Sequence, residues 1–370
     1  MKHGVAAILV AVIGTSAACA QPTPEQGGAH AAEAGTGTSE VAGSASASLS
    51  SAPSSAVPEP EPVDIRATAA SLMVVGVADY ADALFALRQG VGGIFIRSDS
   101  NPELLTQIPA LRAEVGREFA VAIDYEGGRV QRHSHILGPI PSPRDMAATM
   151  SPEQVQGLAY DTGKRLAAHG ITINFAPVVD VDGANLDVVG DRAFSDDPEI
   201  AARYAKAFAQ GMVDAGVQPV FKHFPGHGRA NGDSHTGEVV TPPLSELENL
   251  DLRPYTKDLF IPGSGVMMGH MVVPGLGDPT PSTLNPVAYQ LLREGKGFGG
   301  VVYTDDLSGM RAISDILPVE QAVVASLRAG ADRALWVSTQ DLVPAIDAVV
   351  RSVESGEYPL EQLVASAKRK

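Results

Sequence analysis

The 370-residue sequence predicts an α/β fold, a (β/α)8 TIM-type barrel, behind a non-globular N-terminal stretch. Three observations predict it. Eight short apolar runs recur from about Arg66 onward, stretches of helical periodicity separate them, and the alternation fits within ~300 residues, room for eight strand–helix units. Runs that are apolar throughout, rather than at every second residue, belong to a parallel sheet covered by helices.

In chain order the expected strands are Leu72–Val77, Gly92–Ile96, Ala120–Asp124, Ile171–Pro177, Gln218–His223, Gly265–His270, Gly299–Thr304 and Ala331–Val337. Helical stretches lie between and after them, including Ala81–Gln89, Pro152–Ala168, Pro198–Ala215 and Leu342–Val353. A doubly wound sheet is the alternative. It normally carries a glycine-rich phosphate turn after its first strand, and GVADYAD at 76–82 is not one.

The first 65 residues have a different character. Met1-Lys2-His3 is a short basic start, Gly4 to Gly14 is apolar, and Thr15 to Ala18 are small residues before Cys19. This is the layout of a signal peptide over 1–19. Its apolar run is shorter than the ~20 residues that span a bilayer. Ser16-Ala17-Ala18-Cys19 resembles a bacterial lipobox, with Ser16 where an aliphatic residue is usual. Cys19 is therefore the expected lipidation site. The expected address is the cell envelope outside the cytoplasm, with the membrane met only through that anchor. Plain secretion after cleavage near Ala20 is the alternative. Residues 20–65 are mostly Ala, Ser, Gly, Thr, Pro and Glu, with no Lys or Arg between Lys2 and Arg66. Such a segment cannot build a core and is expected to be a disordered tether. The barrel is expected over 66–370.

Charge and cysteine count narrow the function classes. Forty-three acidic against 27 basic residues give a net charge of −16. Nucleic acid and anionic lipid surfaces call for a basic face, so neither is an expected partner. One cysteine excludes intramolecular disulfides and metal sites built on several cysteines.

The polar residues gather just after the apolar runs, which in a barrel is the C-terminal rim where active sites lie. The third run leads into Asp124-Tyr-Glu-Gly-Gly-Arg-Val-Gln-Arg132 and the fourth into Asn174-Phe-Ala-Pro-Val-Val-Asp180. The fifth ends in Lys222-His223-Phe-Pro-Gly-His227, followed by Asp233-Ser-His235. The sixth ends at His270 and the seventh at Thr304-Asp305-Asp306. Singly, each has a plain structural reading as a turn, a helix cap or a satisfied histidine. Five charged strand ends on one rim point to a site.

Together these strings resemble glycoside hydrolase family 3, in its single-domain, NagZ-type β-N-acetylglucosaminidase branch, over about residues 68–365. The resemblance rests on IDYEGGRVQR at 123–132, NFAPVVDV at 174–181, DRAFSDDP at 191–198, KHFPGHG at 222–228, DSH at 233–235 and TDDL at 304–307. KHFPGHG followed by DSH separates this branch from the β-glucosidases of the family, which take their acid/base from a further domain. Two positions depart from the usual pattern. Tyr125 stands where the branch often has Gln, and DRAFSDDP varies from an RSFG-type string; both are expected to alter an outer subsite.

The resemblance implies a retaining mechanism with Asp305 as nucleophile, since the family places that carboxylate directly after Ser or Thr. Asp306, next along a strand, would point the other way. It implies His235 as acid/base, oriented by Asp233; an imidazole titrates near neutrality, and a carboxylate favours its protonated form. Asp124, Arg132, Arg192, Lys222 and His223 match the family's sugar-binding positions. It further implies exo-removal of terminal GlcNAc from peptidoglycan fragments, no metal or organic cofactor, and a monomer. The glycines at 226, 228, 232 and 237 suggest that the acid/base is carried on a mobile loop.

Other readings are a metal-dependent barrel hydrolase, a non-catalytic cell-wall sugar-binding lipoprotein, and a family 3 enzyme of other specificity or a phosphorylase. The first would normally show His-x-His at the end of the first strand, where this chain has Gly-Val-Ala-Asp.

Overall fold

The computed structural model describes residues 62–183 and 185–370; Cys19, the expected leader and most of the expected tether lie outside them. A helix at Ile65–Ser71, one residue before the expected barrel boundary, opens the described part, with the Asp64 carboxylate accepting from the Ala67 amide. Ten strands follow: β1 Met73–Val77, β2 Gly93–Ile96, β3 Ala120–Ile123, β4 Tyr125–Gly127, β5 Val130–Gln131, β6 Ile173–Asn174, β7 Gln218–Phe224, β8 Gly265–Met268, β9 Val302–Asp306 and β10 Arg333–Trp336. Eight close a parallel barrel in the order β1-β10-β9-β8-β7-β6-β3-β2. The α/β barrel expected from the sequence is the fold observed.

The apolar runs form these strands because both faces of each are covered. Val74, Phe95, Ala122, Ile173, Phe175, Val220, Met267, Tyr303 and Leu335 fill the barrel interior. The alternate residues, among them Val75, Ile94, Val121, Phe221, Val266 and Trp336, pack outward against the helices. At ~1.5–3 kcal/mol for each fully buried large apolar side chain, this two-sided burial is the main source of stability. The helices begin where their caps say. Ser151 and Gln154 make a reciprocal capping box before Pro152–Ala168. The Asp197 carboxylate accepts from the Glu199 and Ile200 amides ahead of Pro198–Asp214.

Three expectations need correction. The fourth run is regular strand only at Ile173–Asn174, not over Ile171–Pro177; Pro177 has no N–H for a ladder, and beyond it only an isolated bridge from Val178 to Lys222 keeps the segment beside β7. The seventh strand is displaced forward, so Asp305 and Asp306 lie within β9 instead of beyond it. The string after Asp124 is not a simple turn: β4 and β5 form an antiparallel hairpin joined by Gly128-Arg129. Gly127 sits at φ +105°, where a Cβ would also collide with the Pro141 carbonyl.

Candidate active site

At the C-terminal rim lies a cavity of about 440 Å³. All eight catalytic and sugar-binding residues expected from the sequence line it: Asp124, Arg132, Arg192, Lys222, His223, Asp233, His235 and Asp305. Its floor is the top of the barrel interior, with Phe95, Phe175, Met267 and Leu335.

One wall is a ladder of alternating charges. Asp124 accepts from Arg132 Nη2 at 2.7 Å and from Lys222 Nζ at 2.9 Å. Lys222 Nζ also lies 2.6 Å from Glu126 Oε1. Glu126 in turn accepts from Arg192 through Nε at 2.7 Å and Nη2 at 2.8 Å. The strand pleat explains the spacing: Asp124 and Glu126 face the cavity, and Tyr125 between them faces away. Asn174 clamps that residue from β6, its amide donating to the Tyr125 carbonyl and its oxygen accepting the Tyr125 amide, both at 2.9 Å. The Tyr125 hydroxyl donates to the Gly138 carbonyl. Tyr125 is therefore a buried support of the hairpin, not part of an outer subsite.

The ladder keeps its carboxylates ionised. Burial alone would raise Asp124, but Lys222 and Arg132 outweigh it and hold the group well below the usual carboxylate range. Burial opposes ionisation of Glu126 as well, and Arg192 and Lys222 overcome it. Arg192 is raised, burial notwithstanding, by Glu126.

On the opposite side stands Asp305. Asp305 Oδ2 lies 3.9 Å from His223 Nε2, and the other ring nitrogen, Nδ1, donates to Asp180 Oδ2 at 2.7 Å. Burial pushes Asp305 up; His223, His270 and the Asp306 amide more than compensate, so its pKa is lowered. Asp180, buried beneath, is brought down to about 2 against its burial by His223 and His227. Asp306 differs: its carboxylate accepts from the Ser308 hydroxyl and amide and from the Gly309 amide, each at 2.9 Å. Burial raises its pKa. His270 Nε2 donates to the Asp306 carbonyl at 2.8 Å, which fixes the end of β9. Burial lowers the pKa of His270, favouring the neutral ring.

Asp233 and His235 reach the cavity from the long segment after β7. His235 Nδ1 donates to Asp233 Oδ1 at 2.7 Å, leaving Nε2 free, and the same carboxylate oxygen accepts the His235 amide. Burial pushes Asp233 up, but the bonds from His235 outweigh it and hold the carboxyl below its ordinary value. The four glycines here are not equivalent. Gly226, at φ +129°, packs on Asp251, and a Cβ on Gly228 would strike the Val181 carbonyl; Gly232 and Gly237 face open space. The Ser234 carbonyl accepts from the Ala312 amide at 3.1 Å, so the dyad is anchored between its two members.

In the sequence, Glu126 and Asp180 stand only as letters of the DYEGG and NFAPVVD strings. Their roles depend on partners distant in the chain, and the buried acidic residue at a strand end was the available signal. Among the described residues, no three His, Cys, Asp or Glu side chains are grouped so as to hold a metal ion.

The glycosyl hydrolase family 3 N-terminal domain model matches residues 66–369. The chain belongs to glycoside hydrolase family 3. It is 46% identical over 317 residues to the β-hexosaminidase LpqI of Mycobacterium tuberculosis, covering 82% of this chain and 81% of that relative. A solved family 3 glycosyl hydrolase from Mycobacterium smegmatis superposes with a TM-score of 0.81 at 45% identity, over 83% of this chain and 96% of the other. A family 3 β-N-acetylglucosaminidase from Paenibacillus sp. superposes at 0.78 with 30% identity, over 83% of this chain and 61% of its longer partner. The family 3 barrel thus carries the ladder, Asp305 and the Asp233–His235 pair on one rim.

Proposed function

We propose that this family 3 hydrolase is a retaining exo-β-N-acetylhexosaminidase that removes terminal GlcNAc. One observation carries the reading. Asp305, held ionised, and His235, paired with Asp233, open into the same cavity as a wall of charged hydrogen-bonding groups. The names of the β-hexosaminidase and β-N-acetylglucosaminidase relatives support the same substrate class.

In this mechanism the hydroxyls of the terminal sugar bind Asp124, Arg132, Arg192, Lys222 and His223 through charge-assisted hydrogen bonds. Asp305 attacks C1 as the bond from C1 to the glycosidic oxygen breaks. His235 gives its Nε2 proton to that oxygen, and Asp233 stabilises the imidazolium beforehand. Water then attacks C1, His235 takes its proton, and the bond from C1 to Asp305 breaks. The sugar leaves with its β-configuration kept.

The proposed natural substrates are peptidoglycan fragments bearing terminal GlcNAc, cut by a monomer at the envelope and anchored through a lipid on Cys19. The leader-like N-terminus and the NagZ-type motifs support that setting. No helix of the described residues is long and apolar enough to cross a membrane. Incubation with an aryl β-N-acetylglucosaminide, with and without phosphate, tests the activity. The expected first product is β-GlcNAc in both cases. An α-configured first sugar contradicts retention, and a sugar phosphate redirects the reading to a phosphorylase.

A further inference from the structure

Glu126 is the most enclosed member of the charge ladder, its side chain having no exposed surface. Two cations converge on it: Arg192 makes a bidentate pair with it, and Lys222 Nζ touches Oε1. Asp124 is already divided between Lys222 and Arg132. Arg192 has no other carboxylate within hydrogen-bonding distance among the described residues; its remaining bond runs from Nη1 to the Val188 carbonyl at 2.9 Å.

An arginine fork beside an ammonium group, on the wall of a low-dielectric cavity, is what a tetrahedral oxyanion binds to. Here that place is filled from within the protein. We propose that Glu126 is the positioning residue that aims Arg192 and Lys222 at a neutral sugar, and that its charge bars sulfate, phosphate and anionic sugars from the same wall. This inference rests on the glycosidase reading for its substrate. The anion barrier itself is a property of the unliganded protein.

The geometry supplies both halves of the argument. Bidentate pairing fixes the guanidinium plane, which a single bond to the Val188 carbonyl would leave free to turn. Three cations against two carboxylates leave the wall with one net positive charge. Replacing Glu126 by a neutral amide raises that to two, and the amide's own N–H groups have only cations to face.

The test is a sulfate titration of wild type, Glu126→Gln and Glu126→Asp at constant ionic strength, read by thermal shift and by KM for an aryl β-N-acetylglucosaminide. Sulfate stabilises folded proteins in general, so the informative quantity is the difference from wild type. Glu126→Gln is expected to gain several degrees more than wild type at millimolar sulfate. Its KM should rise at least tenfold, with a smaller change in kcat, and sulfate should compete with substrate. Glu126→Asp keeps the charge but not the reach: its KM should rise while its sulfate response stays that of wild type. A folded Glu126→Gln with wild-type KM or a wild-type sulfate response overturns the proposal. Should that variant not fold, a sulfate-sensitive Glu126→Asp, or one with unchanged KM, overturns it equally. The thermal shift needs no turnover, so a wild type inactive on the sugar would fault the glycosidase reading and leave the anion contrast standing.

Discussion

The two sides of the cavity are built on opposite principles. The ladder side, built from the β4–β5 hairpin, Lys222 of β7 and Arg192 of the 190–192 turn, is sealed: the Glu126 and Lys222 side chains are 0% and 4% exposed. The dyad side rides on a long connection, with Asp233 and His235 37% and 57% exposed. Buried pairs are costly to break, ~3–5 kcal/mol when one partner is removed, because the other charge is stranded. An exposed pair contributes only ~0–1 kcal/mol to stability. The difference teaches a division of labour. The groups assigned to holding the sugar are fixed by the fold itself, and the group assigned to moving protons is free of the fold's stability.

Breaking the ladder should therefore show first in folding. Lys222→Met removes the ammonium shared by two buried carboxylates, leaving Asp124 only Arg132 and Glu126 only Arg192, and should cost ~3–5 kcal/mol in a denaturant melt. The same experiment on His235→Ala should show almost no loss. That variant should instead lose activity by ~10²–10⁴-fold on substrates with poor leaving groups and far less on an activated aryl glycoside. Equal losses on both substrates would remove His235 from the role of general acid.

Acid should separate the two sides as well. Asp180 is depressed to about 2 in the folded protein. A carboxylate lowered by folding lends stability above its unfolded pKa, and that stability is lost as pH falls through the folded value. The wild type should lose ~2 kcal/mol from this group between about pH 4 and 2. Asp180→Asn should flatten that limb in a pH-dependent melt, whereas Asp233→Asn should barely change it. The smallest effects separate the loop glycines. Gly228→Ala should be clearly destabilising, since its Cβ meets the Val181 carbonyl, while Gly232→Ala should stay within ~0.5 kcal/mol of wild type.

Much of this was legible in the sequence because parallel strands announce themselves as unbroken apolar runs and their polar ends mark the rim. All eight candidate residues meet in one cavity because seven lie at or just past a strand end or on the long segment after β7, and the 190–192 turn brings Arg192 to the same rim. What stayed hidden depends on distance along the chain. Glu126 reads as one letter of a turn until Arg192 and Lys222 fold onto it. Tyr125 looks like a substitution beside the substrate, and only the alternation of β4 turns it inward to Gly138. The fourth run looks like seven residues of strand, yet two are regular, and past Pro177 the pairing with β7 shrinks to an isolated bridge at Val178. The glycines of the dyad segment look alike in sequence, yet two are demanded by close packing and two are not.

In the proposed mechanism Asp305 forms the covalent bond to the sugar and Asp306 does not. A mechanism-based fluorosugar, followed by proteolysis and mass spectrometry, reads this directly. One sugar is expected on the peptide containing Val301–Leu307, attached at Asp305, with no label in Asp305→Ala. A label on Asp306, or undiminished turnover by Asp305→Ala, would contradict the mechanism.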